Sequence, residues 1–212
     1  MSSSPMPSFD SLTIPIGDLP SGYEYRVTRY ADVILRDSFP THWNDLIETL
    51  TRFHIDVVTD IYQAGGNRST VAIRFDGALQ ARGWGKRNID ISTTINEQLV
   101  AKVRSHEIDM FKLGAQHLFP GVAVEMEWNN KDPFFDRDLS NYYALHRAGA
   151  LAVGVIVTRG PRLQQRLQER DRQRFGASTT HWGKLMPRVD IGGGGECPLF
   201  LVGIELERAP GL

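Results

Sequence analysis

The chain has 212 residues, 41% of them hydrophobic and 23% charged, with 24 Lys and Arg against 25 Asp and Glu for a formal net charge of −1. This is ordinary globular usage; it disfavours disorder, collagen-like repeats and coiled coil, and a near-neutral chain does not coat nucleic acid by charge alone, although a basic cleft stays open. A single cysteine, Cys197, excludes an internal disulfide and a cysteine-built zinc site, and reads as a buried thiol.

In chain order, residues 1–22 are rich in Ser, Pro and Gly and read as an irregular arm on a single domain spanning 1–212. The start lacks a basic segment leading into an apolar core, and no apolar run approaches the roughly 20 residues of a spanning helix. A cytoplasmic chain with no membrane partner is expected. Trp43, Leu46, Ile47, Leu50 and Phe53 recur at helical spacing behind Pro40-Thr41, a helix-start signal. Thr70 to Phe75 has the content of a short strand, and Ile95, Leu99 and Val103 form a second stripe at intervals of four, as on a helix. Val122 to Trp128 alternates as a strand, and Asn129 to Pro133 turns the chain. Asp136 to Arg147 reads as a helix, Leu151 to Val157 as a buried parallel strand, Pro161 to Phe175 as a polar helix and Leu199 to Ile204 as another buried strand. This order describes an α/β chain with a mixed or parallel central β-sheet flanked by helices.

Glu125 and Glu127 lie two apart within a strand, so both side chains point to one face. Adjacent carboxylates repel, and two offsets are ordinary: exposure at a solvent face, or a bound divalent cation, for which oxygen ligands suit a hard ion. Asp109 lies sixteen positions before Glu125, with Gly114 and Phe119-Pro120-Gly121 supplying a turn between them. Antiparallel pairing across that turn would set Asp109 beside Glu125 and gather three carboxylates at a sheet end. An acid followed by E-x-E on the next strand is the pattern of a Mg²⁺-dependent phosphodiesterase, in which the metal neutralises charge developing on the phosphate. No H-E-x-x-H pair supports zinc hydrolysis, and none of the Gly-rich points, at 65–68, 83–86 and 192–195, is a Walker-type phosphate loop.

Val124-Glu125-Met126-Glu127-Trp128-Asn129-Asn130-Lys131-Asp132, followed by Phe135-Asp136-Arg137-Asp138-Leu139, resembles the type II restriction endonucleases of the BglII, BstYI and BamHI group. Val153 to Arg159, Ser178 to His181 and the Gly-rich turn before Cys197-Pro198 resemble it too, so the similarity spans roughly residues 30 to 205. The resemblance implies the PD-(D/E)xK restriction-endonuclease-like core. It implies that Asp109 and Glu125 bind Mg²⁺, and that Glu127, at the position usually held by Lys, positions or deprotonates the attacking water. Asp109 follows no Pro, which departs from the motif's name. Glu97 and Asp90 are candidates for a further acid. The implied partners are double-stranded DNA, a second copy in a homodimer, and a companion methyltransferase modifying the same palindromic, GATC-containing site.

Base readers need side chains that reach base edges, whereas phosphate contacts only position the duplex. Asn129, Asn130 and Lys131 directly follow the acidic strand and are candidates beside the scissile phosphate, or merely form the turn. Ser178, Thr179, Thr180 and Lys184 lie in a stretch that resembles a groove-entering loop, or caps a helix. Arg159, Arg162, Arg166, Arg170, Arg172 and Arg174 read as a solvated helix face or a phosphate-binding one. Two other functions fit the same residues: a structure-selective repair or recombination nuclease, and a non-cleaving sequence-specific DNA-binding protein.

Overall fold

A computed structural model describes residues 19–62 and 69–212, so residues 1–18 of the expected arm and the Gly65-Gly66-Asn67-Arg68 point lie outside the described residues. Elements run β1 (Tyr23–Val27), α1 (Ala31–Ser38), α2 (Pro40–Arg52), a π-helical turn (Val57–Tyr62), α3 (Thr70–Gln80), β2 (Gly85–Arg87), β3 (Asp90–Ile95) and β4 (Gln98–Arg104). Then follow β5 (Ile108–Leu113), a short 3₁₀ turn (Ala115–His117), β6 (Gly121–Glu127), α4 (Phe134–Arg147), β7 (Leu151–Arg159), α5 (Pro161–Arg170), α6 (Trp182–Asp190) and β8 (Leu199–Ile204).

The chain is α/β, with a mixed six-stranded sheet in the order β1-β8-β7-β6-β5-β2. β6, β7 and β8 are parallel to one another, while β5 pairs antiparallel to β6. Parallel neighbours need long crossovers, and α4 and the α5–α6 segment supply them. Alternation along the strands sorts the side chains into two layers. Val122, Val124, Met126, Val153, Val155 and Val157 join one cluster with Leu46, Leu50 and Phe75 of α2 and α3. Ala123, Ile156, Leu199 and Leu201 join the other with Phe135, Leu139 and Tyr142 of α4 and Leu185 of α6. This is the helix-flanked sheet of a restriction-endonuclease-like core. Among the described residues no helix is long and apolar enough to cross a membrane.

Three expectations fail. Thr70 to Phe75 is the start of α3, because the Ser69 hydroxyl caps it by accepting from the Ala72 N–H at 3.1 Å, and Val71, Ala72, Phe75 and Leu79 share a buried helical face. The cap and the period of four override β-branched propensity. Ile95, Leu99 and Val103 lie on the β3–β4 hairpin, whose turn residues Asn96 and Glu97 both adopt positive φ, and all three are more than half exposed. A period of four also satisfies a period of two, so the stripe could not separate helix from strand. Glu97 therefore caps a separate two-stranded sheet, and Asp90 at its base pairs with Arg104 at 2.9 Å. The polar helix stops at Arg170, and Arg159 belongs to the preceding strand.

Candidate active site

The acidic strand β6 ends between two supports. Antiparallel pairing of β5 with β6 sets Asp109 next to Glu125, whose Oε1 accepts from the Asp109 N–H at 3.2 Å. On the Glu125 side of the sheet α4 lies flat on β7, because Gly154 leaves room for the Tyr142 ring. A Cβ there would come within 2.2 Å of Tyr142 Cδ2, and the Tyr142 hydroxyl donates to the Val155 carbonyl at 2.8 Å. α4 thus delivers Asp138 onto the same face as Glu125 and Glu127.

All three of these carboxylates are buried, at 2% exposure or less, so no open solvent face offsets the E-x-E repulsion. Arg137 bridges two of them, with Nη2 2.7 Å from Asp138 Oδ1 and 3.5 Å from Glu127 Oε1. Asn130 Nδ2 donates to Glu127 Oε2 at 2.8 Å, and the Thr158 hydroxyl donates to the Glu127 carbonyl at 2.7 Å. Asp109 is the more open acid, with its side chain 31% exposed and Lys86 Nζ 3.5 Å away. Burial first, and then the neighbouring Asp138, push the Glu127 carboxyl up to about 8, against the hydrogen bond from Asn130. Burial, Asp138 and Asp109 hold the Glu125 carboxyl well above the usual carboxylate range.

The turn after β6 is stitched to the stretch after α5. Lys131 and Thr179 form an isolated antiparallel bridge, and Thr180 N–H donates to the Asn130 carbonyl at 2.8 Å. The Asn130 N–H donates to the Thr180 hydroxyl at 3.1 Å, and the Asp132 N–H to the Ser178 carbonyl at 2.9 Å. Asn130, Lys131 and Ser178 are exposed, Asn129 and Thr179 partly so, but Thr180 is fully buried and serves the turn. Lys184 is in the first turn of α6 rather than in a loop, 3.3 Å from Asp132. Arg159, expected on a solvated or phosphate-facing helix, is fully buried against Trp128 and Phe175.

The sequence matches the family of the restriction endonucleases BglII and BglIII over residues 23–204, which takes in every element from β1 to β8. The chain belongs to the BglII/BglIII restriction endonuclease family. It is a type II restriction endonuclease, a site-specific deoxyribonuclease whose substrate is DNA. No curated protein matches the chain.

For this endonuclease the burial of three carboxylates with a single guanidinium, which bridges two of them, is the observation that fits a divalent cation. The donors are all oxygen, the type a hard ion takes, and a cation would offset the repulsion that now favours protonation. Among the described residues the acids do not already converge as a set of three ready ligands. Asp138 and Arg137 were not singled out from the sequence. The signal was there: Phe135, Asp138, Leu139 and Tyr142 share one helical face, and an Asp on an apolar face is unusual unless paired.

Proposed function

We propose that this restriction endonuclease is Mg²⁺-dependent and cuts a palindromic site containing GATC as a homodimer, each protomer cutting one strand. The observation that carries the reading is the buried pairing of Glu125 and Glu127 beside Asp109 at the end of β6. Asp109 and Glu125 would hold the ion. Mg²⁺, when bound, would supply the charge that stabilises the phosphate during cleavage. Glu127 would hold the attacking water and take up its proton. The Asn130 amide fixes one Glu127 oxygen and Arg137 lies by the other, which leaves few orientations for the carboxyl. Burial raises the Glu127 carboxyl, so the charge of a nearby cation would be needed to keep it ionised and able to accept a proton near neutral pH.

Recognition would fall to Asn129, Lys131, Ser178 and Thr179, on the two stitched segments that flank the acids. Asn130 would serve Glu127 rather than a base. Lys184 would approach a phosphate from the first turn of α6. The placement of this chemistry at the carboxyl ends of β6 and β7 agrees with the general preference of α/β sheets for sites there. A companion methyltransferase acting on the same site would protect host DNA, and a cytoplasmic location would follow from that pairing.

The test is to incubate the enzyme with unmethylated DNA and Mg²⁺ and to sequence the ends. A single recurring palindrome with a GATC core, cut only with the metal present, is expected. Ends lacking a common sequence, or cleavage undiminished in a chelator, overturn the reading.

A further inference from the structure

Arg159 ends β7, where its alternation directs it to the sheet face opposite Glu125 and Glu127. It is fully buried, and among the described residues no carboxylate pairs with it. Unpaired buried cations are rare because nothing repays their lost hydration. Among the described residues, one loop accepts every hydrogen bond that the side chain donates. Its Nε and Nη2 donate to the Thr180 carbonyl at 3.1 and 2.6 Å, and Nη2 also donates to the Thr179 hydroxyl at 2.6 Å. Trp128, directly after the acidic strand, and Phe175 pack against the guanidinium. Among the described residues Nη1 has no partner, and neither do the buried Trp128 Nε1 and His181 Nε2 nearby.

The hydrogen bonds continue beyond Thr180. Its N–H and hydroxyl clasp both backbone polar groups of Asn130, and the Asn130 side chain holds Glu127. We propose that Arg159 is a positioning residue that couples the Ser178–Thr180 loop to Glu127 through Thr180 and Asn130. The proposal rests on the reading of that loop as a recognition element. A loop displaced by a mismatched base would pull Thr180, and with it the Asn130 amide, away from the carboxyl. A guanidinium is suited to the task because it offers several donors in a fixed plane and stays charged, so its grip on a carbonyl is stiff. Lys would offer a single point charge on a flexible stem.

The experiment compares Arg159→Met, Arg159→Lys and Thr180→Val with the parent on the duplex recovered from the sequenced ends and on duplexes with one base pair changed. Binding is measured with Ca²⁺ in place of Mg²⁺, and cleavage in single turnover with Mg²⁺. Arg159→Met is expected to bind the recovered duplex like the parent yet to cleave it about 100-fold more slowly, the scale of a misplaced reacting group. Arg159→Lys should rescue little. Combined with Asn130→Ala, Arg159→Met should cost scarcely more than the larger single effect, since both act through one chain; a merely structural role would give additive losses. Parent-like cleavage by a folded Arg159→Met, or additivity in the pair, overturns the proposal. If Arg159→Met does not fold, Thr180→Val still loosens the hold on the Asn130 N–H and should slow cleavage in part, while Asn130→Ala removes the last link, and parent-like cleavage by Asn130→Ala is equally fatal. Ser178→Ala separates the two readings: unchanged discrimination there removes the loop as a reader, whatever Arg159 does to the rate.

Discussion

The carboxyl ends of β6 and β7 bury charge on both faces of the sheet, and they do it by opposite means. On one face Glu125, Glu127 and Asp138 crowd around Arg137. On the other, Arg159 has no carboxylate partner among the described residues and sits between two rings, the Thr180 carbonyl and the Thr179 hydroxyl. A buried carboxylate can shed its charge by taking a proton, and burial with like-charged neighbours moves Glu125 and Glu127 that way. Burial lowers Arg159 only to about 9, so it stays charged at neutral pH and must be solvated by fixed dipoles. The acidic side is therefore adjustable and can exchange a proton for a cation. The basic side is rigid and can hold a loop.

The largest effect is expected on the acidic side. Glu125→Gln and Asp109→Asn should each lower cleavage by about 10³-fold or more, the cost of losing metal ligation, while specific binding in Ca²⁺ persists. Cutting at the parent rate by either would place the adjustable charge elsewhere. Glu127→Lys restores the commoner motif in type but not in surroundings: Asn130 Nδ2 and Arg137 now face a carboxylate, and an ammonium accepts no hydrogen bond. A loss of about 10²-fold or more in single-turnover rate is expected, and full activity would show Glu127 to be peripheral.

Reading and cutting should separate next. Ser178→Ala should lower discrimination between the recovered duplex and a one-base variant by about 5- to 150-fold, the worth of one base contact of 1–3 kcal/mol. Asn130→Ala, whose side chain is engaged with Glu127, should slow cleavage and leave discrimination in binding largely intact. If Asn130→Ala instead loses binding to the recovered duplex alone, its amide reads a base and the stitched turn works differently.

The pH dependence tests the acidic face. For the Glu127 carboxyl, raised to about 8, the stabilising contribution is full below its unfolded value near 4.5 and is lost as pH rises through about 8. The metal-free protein should thus melt lower as pH climbs from about 4.5 to about 8, the interval in which the folded carboxyl holds a proton that the unfolded one has lost. Mg²⁺ should offset this by occupying the ionised acids. Its effect on Tm should grow over the same interval, to roughly 5–10 °C at about 100-fold excess over its Kd. A Mg²⁺ shift that is constant with pH would contradict the buried cluster. The smallest effect belongs to the β3–β4 hairpin, where Leu99→Thr and Val103→Thr remove exposed apolar surface. Stability should change by no more than about 0.5 kcal/mol by denaturant titration, against several for the buried core.

Residue pattern alone located the three parallel strands at the centre of the sheet. The alternation of Val122 to Trp128 and the apolar runs at Leu151 and Leu199 lead to β6, β7 and β8 because strand period and burial on both faces leave direct marks on composition. It also brought Asp109, Glu125 and Glu127 together as candidates, since E-x-E on a strand dictates a shared face and a turn dictates an antiparallel neighbour. Whether that face was open to solvent was beyond it, because α4 covers the acids through a long-range contact made possible by Gly154. Asp138 reached the cluster by the same docking. By sequence Arg159 groups with the arginines of the following helix because sequence neighbours look alike; just before Gly160 and Pro161 it is still strand, and the strand carries it to the other face of the sheet. Local periodicity determines which element a residue belongs to and which way it points. Only the packing of distant elements decides what it meets there, and so whether its charge is solvated, paired or left to hold a neighbouring loop.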